Sequence, residues 1–224
     1  MEGDTPSFLG LIGNGLASDR NPSWGGWGGR YVHRQPYGET HPIWTQGGDA
    51  FAHDWSRDTV IGVDGKSHTS DQATIWRWRE AYQHDFAARM DWTVENYRHA
   101  NHNPRVRVNG VLGEAPITID AQVGRPVTLD ARGTRDPDGD RLRYRWFSYE
   151  EAGAGTGVSR ARVTVSGGDS AQATVTPTST CPKFWLPEVP CTATNGVAHV
   201  ILAVTDTGSP SLTSYRRVIL NVKA

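Results

Sequence analysis

Three carboxylates stand at alternate positions in Asp136-Pro137-Asp138-Gly139-Asp140. Such spacing can turn several hard oxygen donors toward one cation, and calcium is the cation it suits. The segment lacks the closing glutamate and the length of an EF-hand loop, so it matches that chemistry without matching that motif. The same residues also read as a type I turn between strands, with proline at its second position and aspartate side chains accepting from free amides. Both readings stand at this level. Glu2-Gly3-Asp4 sets two more acids at the start of the chain. Paired carboxylates can perform acid–base work or hold a divalent ion. Asp4 therefore joins Asp136, Asp138 and Asp140 as a candidate metal ligand, against the plain alternative that terminal acids face solvent.

A different chemistry is written in Trp24-Gly25-Gly26-Trp27-Gly28-Gly29-Arg30-Tyr31, with Tyr37 and Trp44 beyond it. Indole faces stack on the C–H faces of sugar rings, and rigid aromatics anchor a ligand at little entropic cost. Trp24, Trp27, Arg30, Tyr31 and Trp44 are the candidate glycan contacts. The competing reading packs these indoles beneath the loop as core and pairs Arg30 with a carboxylate. His33, His41, His53, His68 and His84 show no zinc-ligand spacing. GxSxG, P-loop and GxGxxG patterns are absent, so no catalytic residue is assigned.

Cys181 and Cys191 bracket a proline-stiffened loop. A disulfide there would remove unfolded-chain entropy worth about 2–3 kcal/mol. It would also place the protein in an oxidising compartment, secreted or periplasmic. Two free thiols in a cytosolic loop are the alternative. No histidine lies between or directly beside them to complete a zinc site.

Two kinds of element must position these residues. Before residue 70 the text is glycine-rich and weakly periodic, with Phe8–Ile12 a candidate buried strand ahead of the Gly13-Asn14-Gly15 turn. Residues 71–98 read as one helix, with Ile75, Trp78, Tyr82, Phe86, Met90, Val94 and Tyr97 as its apolar stripe. Ser70 or Asp71 can cap its start, and Pro104 bounds its end. From residue 105 the pattern becomes period two. Strands are expected around 105–108, 126–130, 142–147, 161–165, 171–175, 198–204 and 215–222. About seven strands over roughly 120 residues, with one large aromatic in a middle strand, indicate an immunoglobulin-like sandwich. The expected organisation is an α/β portion over 1–103 and an all-β sandwich over 104–224.

The formal net charge is −1 over 224 residues, which lacks the clustered cationic excess that phosphate neutralisation requires; nucleic acid is not an expected partner. No apolar run reaches the ~20 residues of a membrane helix. Seven of the nine tryptophans precede residue 100, so the two portions differ in composition. The opening residues carry no signal-peptide pattern and read as an internal segment.

Glu-Gly-Asp-Thr-Pro-Ser-Phe-Leu (2–9), Trp-Gly-Gly-Trp-Gly-Gly-Arg-Tyr (24–31), Ala-Thr-Ile-Trp-Arg-Trp-Arg (73–79), Asp-Phe-Ala-Ala-Arg-Met-Asp-Trp (85–92) and Asp-Pro-Asp-Gly-Asp with Tyr-Arg-Trp-Phe-Ser-Tyr (136–149) together resemble one bacterial family. It is the cellulose-binding family with an N-terminal nucleoside hydrolase-like domain and a C-terminal immunoglobulin-like domain, and the resemblance is to the C-terminal part. It implies a polysaccharide partner such as cellulose and docking of the two domains on each other. Nucleoside hydrolases hold calcium through an early aspartate cluster and a late His-Asp pair. If Gly3-Asp4 matches that pair, Asp4 is the late ligand and Gly3 replaces the histidine. The early cluster is absent here. The resemblance thus implies glycan binding without catalysis in this chain. The alternatives are a part of a calcium-dependent glycosidic-bond hydrolase whose other half lies elsewhere, or a structural docking domain.

Overall fold

The computed structural model describes residues 8–34, 40–41, 43–45, 56–182 and 190–224. The chain divides into two compact units. The first contains Ala17–Tyr82 and Glu151–Val158, together with residues up to Gly13. The second contains Asn14–Leu16, Gln83–Glu150 and Ser159–Ala224.

The first unit is built from short pieces because its sequence is punctuated by glycine and proline. Asn21 caps the 3-10 turn Pro22–Trp24, its Oδ1 accepting from the Ser23 amide at 3.0 Å. Gly25, at φ 74°, ends that turn in a conformation that favours glycine. Gly26 and Gly29 then exchange backbone hydrogen bonds at 3.1 and 2.8 Å, closing a tight loop around Trp27. Two antiparallel hairpins follow: β1 (Val32–Arg34) with β2 (Ile43–Thr45), and β3 (Asp58–Ile61) with β4 (Ser67–Ser70). The short helix α1 (Ala73–Trp76) comes next, and Ser70 Oγ accepts from the Ala73 amide at 3.1 Å, as the capping expectation required. Among the described residues of this unit the ladders are antiparallel, and no parallel pair occurs. The strand expected over Phe8–Ile12 is not formed. Phe8–Gly10 are helical, and Phe8 and Leu11 are 57% and 81% exposed.

The helix expected as one piece over 71–98 is broken. Arg77 and Trp78 separate α1 from α2 (Arg79–Asp91), and turns follow from Trp92. The apolar stripe on α2 does not make its buried face. Phe86 and Met90 are half or more exposed, while Asp85 and Ala88 are buried. Spacing identifies residues that share a face; tertiary packing decides which face is covered. Past α2, Trp92 Nε1 donates to the Asn101 carbonyl at 2.8 Å.

The second unit holds the β-sandwich. One sheet has the order β7 (Ile117–Gln122), β13 (Thr213–Lys223), β12 (Asn195–Thr205), β9 (Arg143–Ser148). The other has the order β10 (Arg162–Ser166), β11 (Gln172–Ser179), β8 (Val127–Asp130). A small hairpin of β5 (Arg107–Val108) and β6 (Val111–Leu112) precedes them. All sheet pairings are antiparallel except β7 with β13. Strand β7 is absent from the strands expected above, although Ile117, Ile119 and Ala121 alternate along it. The core joins Leu129, Trp146, Val175, Val200, Leu202, Val218 and Leu220. Trp146 Nε1 donates to the Ser170 carbonyl at 3.0 Å, which settles the polar edge of its buried indole.

Strands β12 and β13 are buried on both faces along their middles. Away from the core, Tyr215 donates its amide to Asn14 O at 2.8 Å, and Arg217 Nε donates to Leu16 O at 2.6 Å. Asn14–Leu16 thus lie against β13 within the second unit. Cys181 and Cys191 form the expected disulfide.

Candidate functional site

The glycine loop sorts its aromatics by depth. Trp27 is 1% exposed and serves as core of the first unit. Its indole offers no face to a sugar, which corrects its selection as a glycan contact. Arg30 is also 1% exposed. Its Nε donates to Asp58 Oδ1 at 2.9 Å, and its Nη2 to the Arg57 carbonyl at 2.8 Å. The carboxylate-pairing reading of Arg30 therefore holds, and its assignment to glycan is corrected. Asp58, itself fully buried, accepts from Arg77 Nε at 3.1 Å through its other oxygen. Arg77 reaches on to Glu151 at 3.2 Å, and Glu151 accepts from the Thr59 amide. Two arginines and two carboxylates thereby tie the loop, β3, the turn after α1 and the 151–158 segment into one network. Nothing in local spacing marks Asp58 as its centre.

Trp24 and Tyr31 are half-buried, and burial pushes the Tyr31 phenol above its ordinary value. Trp44, on β2, is 39% exposed, with the His33 ring 5.4 Å away across the hairpin. Trp76, at the end of α1, is 48% exposed. It stands outside the apolar stripe read from the sequence and is not among the glycan candidates named there. Trp44 and Trp76 are the exposed indoles of the first unit among the described residues.

Asp4 lies outside the described residues. Asp136, Asp138 and Asp140 do not converge as a trio. Asp136 Oδ1 accepts from the amides of Asp138 and Asp140 at 2.9 and 3.1 Å, which is the turn-capping role. Asp138 turns instead to His102, accepting its amide at 2.7 Å and lying 3.0 Å from its Nδ1. No group of three or more His, Cys, Asp or Glu side chains suited to a metal occurs among the described residues. Asp206, fully buried at the end of β12, accepts from the amides of Gly208 and Leu212 at 3.0 and 2.9 Å. Its Oδ2 accepts from Asn101 Nδ2 at 3.2 Å. Burial first, and the nearby negative charge of Asp136 as well, push the Asp206 carboxyl above its ordinary value. Asn101 and Asp206 were not singled out by spacing, because they are 105 residues apart.

Against this geometry, residues 126–222 match the family described as the cellulose-binding protein Sde0182, C-terminal domain. Residues 1–31 match the cellulose-binding Sde182 nucleoside hydrolase-like domain. A solved nucleoside hydrolase-related hypothetical protein from Saccharophagus degradans, associated with carbohydrate metabolism, is 36% identical over the whole chain, with a TM-score of 0.69. The chain spans about half of that protein, 48% of its length. The PKD domain of the KIAA 1837 protein is 18% identical over 49% of this chain and 84% of its own, at a TM-score of 0.30. That value is too low to weigh on the fold. No curated protein matches. Both domain models of the Sde0182 cellulose-binding family thus match this chain in order, the nucleoside hydrolase-like domain over residues 1–31 and the C-terminal domain over residues 126–222.

Proposed function

We propose that the chain binds a polysaccharide of the cellulose type without carrying out catalysis itself. The observation that carries this reading is the match of residues 126–222 to the C-terminal domain of a cellulose-binding protein. Trp44 and Trp76 are the contacts we assign, because their indoles keep open faces while Trp27 is core. A stacked indole gives affinity through apolar contact and dispersion, with little rotamer entropy to lose.

The test is retention of the purified chain on insoluble cellulose beside unrelated polysaccharides. Trp44→Ala is expected to weaken retention about tenfold, which corresponds to about 1.4 kcal/mol, with an unchanged Tm. Trp76→Ala is the companion variant. Full retention by the double variant would remove both assignments, and no retention by the folded wild type would remove binding by this chain.

A second reading has specific support in the match of residues 1–31 to a nucleoside hydrolase-like domain. In it, this chain is the C-terminal part of a longer glycosidic-bond hydrolase, with residues 1–103 completing an α/β domain. Release of free base or sugar by a full-length relative, and none by this chain, is the expected pattern. We further propose a secreted or periplasmic location, supported by the Cys181–Cys191 disulfide.

A further inference from the structure

Three separated segments of the second unit meet at one end of the sandwich. Asn101 precedes the β5–β6 hairpin, Asp136 opens the loop before β9, and Asp206 follows β12. Asn101 Nδ2 donates both to Asp206 Oδ2 at 3.2 Å and to the Pro210 carbonyl at 2.7 Å, which fixes the orientation of the amide. Asp138 holds the His102 backbone, and Thr207 Oγ1 lies 3.4 Å from Asp140 Oδ1, so the three segments are tied to one another. A Cβ on Gly208 would fall 2.2–2.4 Å from the Asn101 amide atoms, so the loop after β12 closes directly onto that side chain.

Within this closure two side-chain oxygens are fully buried and have no hydrogen-bond partner, Asn101 Oδ1 and Asp136 Oδ2. Each is the second oxygen or amide end of a side chain whose other atom is already engaged. Neither can be relieved by rotation without breaking the bonds just described. Buried acceptors without donors are costly. Asp206 adds a fully buried carboxylate close enough to feel the charge of Asp136. Orphaned oxygens beside two neighbouring carboxylates lack a positive charge, not another acceptor.

We propose that Asn101, Asp136 and Asp206 bind one calcium ion at this end of the sandwich. The donors are all oxygen, which suits a hard cation and disfavours zinc or copper. Two carboxylates and a neutral amide balance a divalent charge. The donors come from loops, which tolerate the longer and less regular coordination of calcium better than the strict octahedron of magnesium. Backbone carbonyls and water complete the six to eight ligands calcium takes. Asp138 and Asp140 hold the loop and stand outside the shell. The assignment is independent of polysaccharide binding.

The experiment uses the full chain, stripped with EDTA and dialysed against calcium chloride, with bound calcium counted per chain and the Tm measured in parallel. One site is expected to bind, with a rise in Tm of about 5–10 °C at a hundredfold excess over Kd. Magnesium chloride at the same concentration is expected to do far less. Asp136→Asn keeps the side-chain shape and is expected to lower calcium affinity at least about tenfold. Asn101→Ala supplies an independent removal if the first variant fails to fold, and Asp120→Asn, on the exposed face of β7, is the acidic control. No calcium bound and no Tm shift would overturn the proposal and leave the orphaned oxygens to water. Equal binding by wild type, Asp136→Asn and Asn101→Ala would overturn it as well, by placing the ion elsewhere.

Discussion

Asp58 is fully buried inside the first unit, where two guanidinium groups approach its two oxygens separately. Removing one member of a buried pair leaves the other uncompensated, so Asp58→Ala is expected to cost about 3–5 kcal/mol. Denaturant unfolding of the variant measures this, and a loss below about 1 kcal/mol would make the network ornamental. Arg216 presents the opposite case. It is 1% exposed, and its Nε and Nη1 have no partner. Burial pushes its pKa down, with the Glu114 charge acting the other way. Buried donors without acceptors oppose folding, so Arg216→Met, which keeps most of the length, is expected to raise the Tm. His199 sets a pH dependence. Burial and then the Arg217 cation hold its imidazole well below the usual value of 6.5. Arg217 Nη1 donates to the neutral ring at His199 Nδ1, 3.0 Å away. As pH falls below about 6.5, the unfolded chain takes a proton that the folded chain refuses. Stability is then lost at up to about 1.4 kcal/mol per pH unit from this group. His199→Gln retains an acceptor for Arg217 and is expected to flatten the fall in Tm between pH 7 and pH 5 relative to wild type.

At the scale of elements, β13 depends on a close approach that only glycine allows. Gly15 sits at φ +90°, and a Cβ there would lie 1.9 Å from the Tyr215 carbonyl oxygen. Gly15→Ala must therefore push Asn14–Leu16 off the strand and break the Asn14–Tyr215 hydrogen bond. We expect a loss of about 2 kcal/mol or more, read from thermal unfolding. The glycine loop shows how far such elements can be read in advance. The glycine pairs between Trp24 and Arg30 announce a tight loop, and one formed, with Gly26 and Gly29 exchanging backbone hydrogen bonds. Whether Trp27 points in or out is decided by the elements around the loop, and spacing carries no record of them. Helix α2 repeats the lesson. Its Phe86–Met90 periodicity is real, yet the packed side is that of Asp85 and Ala88, with His84 Nδ1 3.0 Å from the Ser211 carbonyl oxygen.

For the whole molecule, a formal charge of −1 leaves little long-range field with which to attract an ionic partner. Polysaccharide retention through indoles is expected to change less than about twofold between roughly 0.05 and 0.5 M salt, a range over which screening would abolish ionic capture. Strong salt dependence would transfer the binding to charged groups. The disulfide acts on the whole chain through the unfolded state, and its reduction is expected to cost about 2–3 kcal/mol. Unfolding midpoints with and without reductant test this directly.

The sequence alone determined the features written in neighbouring residues. Period-two runs after residue 105 specify strands, because alternation with a buried face admits one register. The cysteine pair specifies a short loop, and the Ser70 and Asp136 side chains specify local caps. Tertiary structure alone decided the rest. Pairing of β7 with β13, burial of Trp27 and the meeting of Asn101 with Asp206 join residues distant along the chain. Their energies depend on what covers each surface and which polar atoms are left without partners, and these are properties of the folded interior that no local pattern contains.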